Sequence, residues 1–203
     1  MNAVTLNIDT PTEPINRLTT FFRIFAIIPI AIVLSTVAGG GTSVGEGEMQ
    51  TVITAAGGTL VMGPLLMILF RQKYPRWWFD WNLELIRFST RVGNYMLLMT
   101  DKYPSTDEQQ NVHIEIQYPD AGQLNRWLPL VKWFLAIPHF IVLFFLTIGV
   151  FFSALFAWFA ILFTGKYPEG LFRYNEGVLR WSTRVTAYAA IMVTDEYPPF
   201  SLR

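Results

Sequence analysis

Three stretches of this chain are long and almost free of charge, and they constrain its fold more than any other feature. Thr20 to Ala38 is uncharged except for Arg23, Thr51 to Phe70 carries no charge, and Leu128 to Thr164 has only Lys132 and His139 as ionisable groups. A helix needs about 20 residues to cross a hydrocarbon core of about 30 Å, and each stretch is of that order or longer. In a chain of 203 residues that is 52% hydrophobic, this concentration of apolar residues predicts a membrane protein.

The third stretch has room for two spans and carries Thr147-Ile148-Gly149 near its middle, so it is read as a tight hairpin of two short helices. Four transmembrane helices result. The first two are separated by the run from Gly39 to Glu48, too rich in glycine for a helix interior and too polar for hydrocarbon, hence an external loop. All fifteen Lys and Arg residues avoid this loop and the second hairpin tip. By the positive-inside rule both termini and the central segment are expected to be cytoplasmic. Polar and mixed residues with Pro11 and Pro14 precede the first span, which therefore reads as a retained signal anchor rather than a cleaved signal peptide. There is no cysteine, so disulfide and thiolate chemistry are excluded, and a net charge of zero gives no argument for a nucleic-acid partner.

The chain reads as two tandem copies of one unit, residues 1–105 and 106–203. Asn16-Arg17 recurs as Asn125-Arg126, Arg23 as Lys132 and Pro29 as Pro138, all 109 residues apart. Lys73-Tyr74-Pro75 recurs as Lys166-Tyr167-Pro168, and Arg87, Ser89, Thr90, Arg91, Val92 and Tyr95 recur as Arg180, Ser182, Thr183, Arg184, Val185 and Tyr188. Thr100-Asp101 with Tyr103-Pro104 then matches Thr194-Asp195 with Tyr197-Pro198. Before each unit, Val4, Leu6 and Ile8, and Val112, Ile114 and Ile116, alternate as half-buried strands do. Two spans per unit make these parallel repeats, related by an axis along the membrane normal.

The segment after each hairpin is an amphipathic helix rather than a further span. Trp81, Leu85, Phe88, Val92, Tyr95 and Met99 form one stripe, and Asp80, Glu84, Arg87 and Arg91 another face. Two arginines at the bilayer centre would cost about 2.5–3.5 kcal/mol each, which an interfacial position avoids. The fold class expected is an all-α membrane protein: two parallel-repeat hairpins, each followed by an amphipathic interfacial helix and preceded by a short β-strand.

The repeated pattern, Arg-Trp-Ser-x-Arg-Val-x-x-Tyr followed by Thr-Asp-x-Tyr-Pro-Pro-Phe in the second copy, resembles a bacterial integral-membrane family classified as a domain of unknown function. The first copy departs from it with Phe88 where the second has Trp181, and Ser105 where the second has Pro199. The resemblance implies the bacterial inner membrane and supplies no activity, cofactor or catalytic residue.

Few positions invite a functional reading. Arg87, Arg91, Arg180 and Arg184, with Trp77, Trp78, Trp81 and Trp181, are candidate contacts for anionic lipid headgroups or a partner protein. The alternative for the arginines is salt bridging to Glu84 and Glu176. Arg23, Lys132 and His139 are candidate intramembrane polar positions. Snorkelling to headgroups is the favoured reading of the two cations, with Asp101 and Asp195 the candidate charge partners otherwise. His139 is expected to be a hydrogen-bonded structural histidine rather than a haem ligand. Pro29 and Pro138 are expected to kink their spans. No catalytic, metal-binding or cofactor-binding constellation is present in the sequence. The expected function is a non-catalytic accessory or scaffold subunit of a larger membrane complex, the alternative being a small oligomeric transporter, channel or lipid-handling protein.

Overall fold

The computed structural model describes residues 4–11, 14–37, 64–106, 108 and 110–203. In chain order the elements are β1 (Val4–Ile8), α1 (Arg17–Val37), α2 (64–71), α3 (Arg76–Met96), β2 (Val112–Ile116), α4 (Leu128–Thr164) and α5 (Glu169–Ala189). The protein is mostly helical, with one small two-stranded sheet. Two helices, α1 and α4, are long and apolar enough to cross a membrane. The expected external loop from Gly39 to Glu48, and the span from Thr51 to Phe70 except its last residues, lie outside the described residues.

The strands form as their alternation predicts. They pair antiparallel with Leu6 opposite Ile114, so Val4, Leu6, Ile8, Val112, Ile114 and Ile116 share one buried face and Thr5, Asn7, His113 and Glu115 share the exposed one. Two strands alone are marginal in water and need a support. Here β2 rests on α3, the helix that precedes it, and β1 rests on α5, a helix far from it in sequence. Arg87 on α3 donates from Nε and Nη2 to Ile114 O at 3.2 and 2.9 Å. Arg180 on α5 donates from Nε to Leu6 O at 2.9 Å, so the two arginines clamp the two central, paired residues of the sheet.

The amphipathic helices begin and end alike. Pro75 and Pro168 stand at their N-caps with φ of −68° and −66°, close to the angle the proline ring imposes. Just beyond them the backbone turns left-handed at Leu98 (φ 65°) and Met192 (φ 57°). The chain leaves α2 through Gln72 (φ 45°) and α4 through Gly165 (φ 72°). Only the last has the glycine that makes such a turn inexpensive.

The expected hairpin of two short helices over Leu128 to Thr164 is corrected: the segment is one helix of 37 residues, about 55 Å long at 1.5 Å per residue. Gly149 is a packing site rather than a turn. A Cβ there would lie 2.3 Å from the Tyr174 hydroxyl, which donates to Leu146 O at 2.8 Å. Thr147 folds its hydroxyl back onto Leu143 O at 2.8 Å, a bond made inside the helix. An isolated glycine costs a helix about 1 kcal/mol, too little to break so long an apolar run. Among the described residues two helices are therefore long and apolar enough to span, and α4 does not form the hairpin expected of the second unit.

Helix α4 shows a narrow buried stripe, Lys132, Ala136, His139, Ser153, Ala157 and Ile161, and apolar residues over the rest of its circumference. Phe163 is 79% and Phe134 70% exposed. A helix that is apolar on its uncovered sides belongs in lipid or against another apolar protein surface. Helix α5 lies along the stripe. It is enclosed between α4 on one side and β1 and the carboxyl-terminal tail on the other, so it forms a middle layer with few exposed positions.

Candidate functional site

Where α1 and α4 enter the fold, each carries one cation inward. Arg23 is 3% exposed and forms an ion pair with Asp101, while its Nη1 donates to Thr100 O at 2.7 Å and Tyr95 O at 3.2 Å. Its guanidinium also lies over the Tyr95 ring, 4.5 Å from the centroid. Lys132 is fully buried, with Nζ 2.7 Å from Asp195 Oδ1 and 2.7 Å from Thr194 O, and 5.2 Å from the centroid of Tyr188. Both aspartates reach further: Asp101 accepts the Asn16 N–H at 2.7 Å and Asp195 accepts the Asn125 N–H at 2.7 Å. Each aspartate thus ties a helix start and its inward cation to the end of an amphipathic helix. The cations turn into the protein, not out to headgroups.

His139 is wholly buried, and its Nδ1 accepts the Trp181 indole N–H at 3.1 Å. That bond assigns the ring proton to Nε2, which has no partner of its own. The ring stacks on Phe200 with centroids 4.0 Å apart, and Tyr197 lies 4.8 Å away. His113 is on the exposed sheet face, 2.9 Å from Asp9 Oδ2. Among the described residues no group of three or more His, Cys, Asp or Glu could hold a metal ion.

The four repeated arginines are drawn into the fold. Arg87 and Arg180 hold the sheet as described and pair with Glu84 and Glu176, each at 2.6 Å, so the salt bridges weighed from the sequence are present. Glu176 also accepts the Ile8 N–H at 3.3 Å. Arg91 is buried, and its Nη1 donates to Ser105 O at 2.9 Å. Arg184 is buried too, with Nε and Nη1 unpartnered, and burial, then the neighbouring charge of Arg180, lowers its pKa. Of the tryptophans, Trp77 (68%) and Trp81 (52%) are exposed, Trp78 packs partly against the core and Trp181 is enclosed.

Tyr74 and Tyr167, the middle residues of the two Lys-Tyr-Pro sequences, each bond to a backbone carbonyl far away in sequence. Tyr74 donates to Ile191 O at 2.6 Å, and Tyr167 donates to Leu97 O at 3.2 Å. Burial pushes the Tyr167 phenol up to about 12 and raises that of Tyr74 as well. Beside each tyrosine is a groove. One, of about 420 Å³, lies between Thr10, Pro14 and Ile15 and the turn of Lys166, Glu169 and Arg173; the other, of about 640 Å³, lies between Pro119 and Asp120 and the turn of Arg71, Gln72 and Lys73.

Residues 127–201, covering α4, α5 and the tail that encloses His139, match a family model described as Domain of unknown function (DUF4389). No curated protein and no solved structure matches the chain.

Proposed function

We propose that the protein is a non-catalytic accessory or scaffold subunit of a larger complex in the bacterial inner membrane, built from two copies of one unit. One observation carries this reading: the two inward cations are neutralised by the chain itself, while the outer faces of α1 and α4 are left apolar and uncovered. Asp101 and Asp195 take up Arg23 and Lys132, so neither cation faces a pathway or a reacting group. Only 11% of the apolar window of each long helix is buried, unlike the core helix of a soluble protein. Such a surface offers lipid and other transmembrane helices a large contact area. The duplication is supported by the buried ion pairs of Arg23 and Lys132, the strand clamps of Arg87 and Arg180, the left-handed turns at Leu98 and Met192 and the bonds of Tyr74 and Tyr167, which fall at corresponding positions of the two units.

Gentle extraction from the native membrane followed by native mass spectrometry tests the proposal. Migration with a larger complex at fixed stoichiometry is the expected result. A monodisperse monomer that cross-links to no neighbour overturns it. A lipid-handling protein is the second reading, favoured by the two grooves, and a homo-oligomer carrying only retained lipid would select it.

A further inference from the structure

We propose that the two grooves beside Tyr74 and Tyr167 are seats for the phosphate headgroup of an anionic phosphoglyceride, one near each end of α4. This rests on the membrane reading above but not on the existence of a partner complex. The argument begins with where the grooves lie. The first is lined by Gly165, which ends α4, and by Ile15, just before α1. The second is lined by Met67, Arg71 and Gln72 at the end of α2, and Arg126, just before α4, donates from Nη2 to Gln72 Oε1 at 2.7 Å. Both therefore stand where an apolar helical surface gives way to charge.

Their charge is complementary to a phosphodiester. The first groove presents Lys166 and Arg173 against the single carboxylate of Glu169, which pairs with Arg173 at 3.5 Å and leaves Lys166 in excess, and Arg17 stands at its edge, donating to Phe163 O at 3.2 Å. The second presents Arg71 and Lys73 against the single carboxylate of Asp120, with Arg126 at its edge. Cations at a bilayer surface attract anionic lipid, and the exposed apolar faces of α1 and α4 beside the grooves suit acyl chains. A neutral, zwitterionic lipid would leave the excess positive charge unmatched. The four arginines first considered for this role are engaged in the fold, which leaves these exposed cations to perform it. Each groove sets a Lys-Tyr pair against a proline-containing segment, Pro11 and Pro14 in one and Pro119 in the other, with volumes of about 420 and 640 Å³.

The test uses the full chain in a neutral detergent, mixed with dioleoylphosphatidylglycerol or dioleoylphosphatidylcholine and read by native mass spectrometry. Two retained phosphatidylglycerol molecules per chain, in preference to phosphatidylcholine, are expected. Lys166→Gln with Arg173→Gln should abolish one, and Lys73→Gln with Arg71→Gln the other, each lost charge weakening retention by about fivefold. All four side chains are exposed, so the thermal midpoint should hold and a misfolded variant would be recognised by its loss. Equal retention of the two lipids, undiminished retention by the fourfold variant, or displacement of the lipid by inorganic phosphate at equal concentration each overturns the proposal. A chain that migrates without any complex but keeps the lipid preference refutes the scaffold reading and leaves this one standing.

Discussion

Ile30 on α1 and Phe88 on α3 form one buried contact between a long apolar helix and an amphipathic one, and His139 on α4 and Trp181 on α5 form another. The first two are buried together with Val92 in a purely apolar cluster. The second two are joined by the indole-to-imidazole hydrogen bond at 3.1 Å and capped by Phe200. The two contacts between a long and an amphipathic helix are thus built from different chemistry. An apolar pair needs only matching volume, whereas a polar pair in the same enclosure makes each member depend on the other, because an orphaned donor has no water to turn to. The inward cations differ in the same way. Arg23 shares its charge among one carboxylate and two carbonyls, while Lys132 has one carboxylate and one carbonyl.

The largest effect expected from this contrast is at Lys132. Asp195→Ala strands a buried ammonium and should lower stability by about 3–5 kcal/mol, whereas Asp101→Ala should cost less because Arg23 retains its carbonyls. Denaturation in mild detergent measures both, and an equal loss would remove the distinction. Next, His139→Ile leaves the Trp181 N–H without its acceptor at a cost of about 1–3 kcal/mol. Adding Trp181→Phe, which transplants the first half's pair, should recover part of that cost. Strict additivity of the two substitutions would show that they are not a pair.

A smaller effect concerns the tyrosines of the Lys-Tyr-Pro sequences. A phenol raised to about 12 at Tyr167 contributes stability that is fully present below the free tyrosine value of about 10. That contribution disappears as pH rises from about 10 through 12. Alkaline unfolding should therefore soften in Tyr167→Phe, and an unchanged profile would place the sensitive group elsewhere. Smallest is Gly149→Ala, where displacement of the Tyr174 hydroxyl should outweigh the helix-propensity gain and leave a net loss near 1 kcal/mol. Gly170→Ala meets nothing within 4 Å and serves as its control, with a gain of about 0.5–1 kcal/mol.

Much of this was readable before any coordinates. The strand alternation fixed which six residues face inward, and the helix periodicity of α3 and α5 fixed the faces they bury. The spacing of Arg87 to Glu84 and of Arg180 to Glu176 gave the local ion pairs. What remained hidden depends on residues distant in sequence. Gly149 looks like a turn signal until Tyr174, on another helix, is known to fill its place. The buried fate of Arg23 and Lys132 needed the aspartates folded back against the starts of α1 and α4. The arginines resembled headgroup ligands because a sequence does not reveal that a strand carbonyl will pass beside them. Aligning the two recurring patterns sets His139 against Ile30 and Trp181 against Phe88, a joint difference in the sequence that could have identified the pair.

That β1 rests on α5 also has a consequence for biosynthesis. When the ribosome has delivered β1 and α3, neither has its support, since Arg87 awaits the carbonyl of Ile114 and β1 awaits α5. At about 5–20 residues per second, the interval between the two strands is roughly 5–20 s. During that time β1 is without its partner strand, while Arg87, made 27 residues before Ile114, waits roughly 1–5 s for that carbonyl. Separating residues 1–105 from 106–203 would part β1 from α5 and α3 from β2, and each strand would lose the helix that supports it.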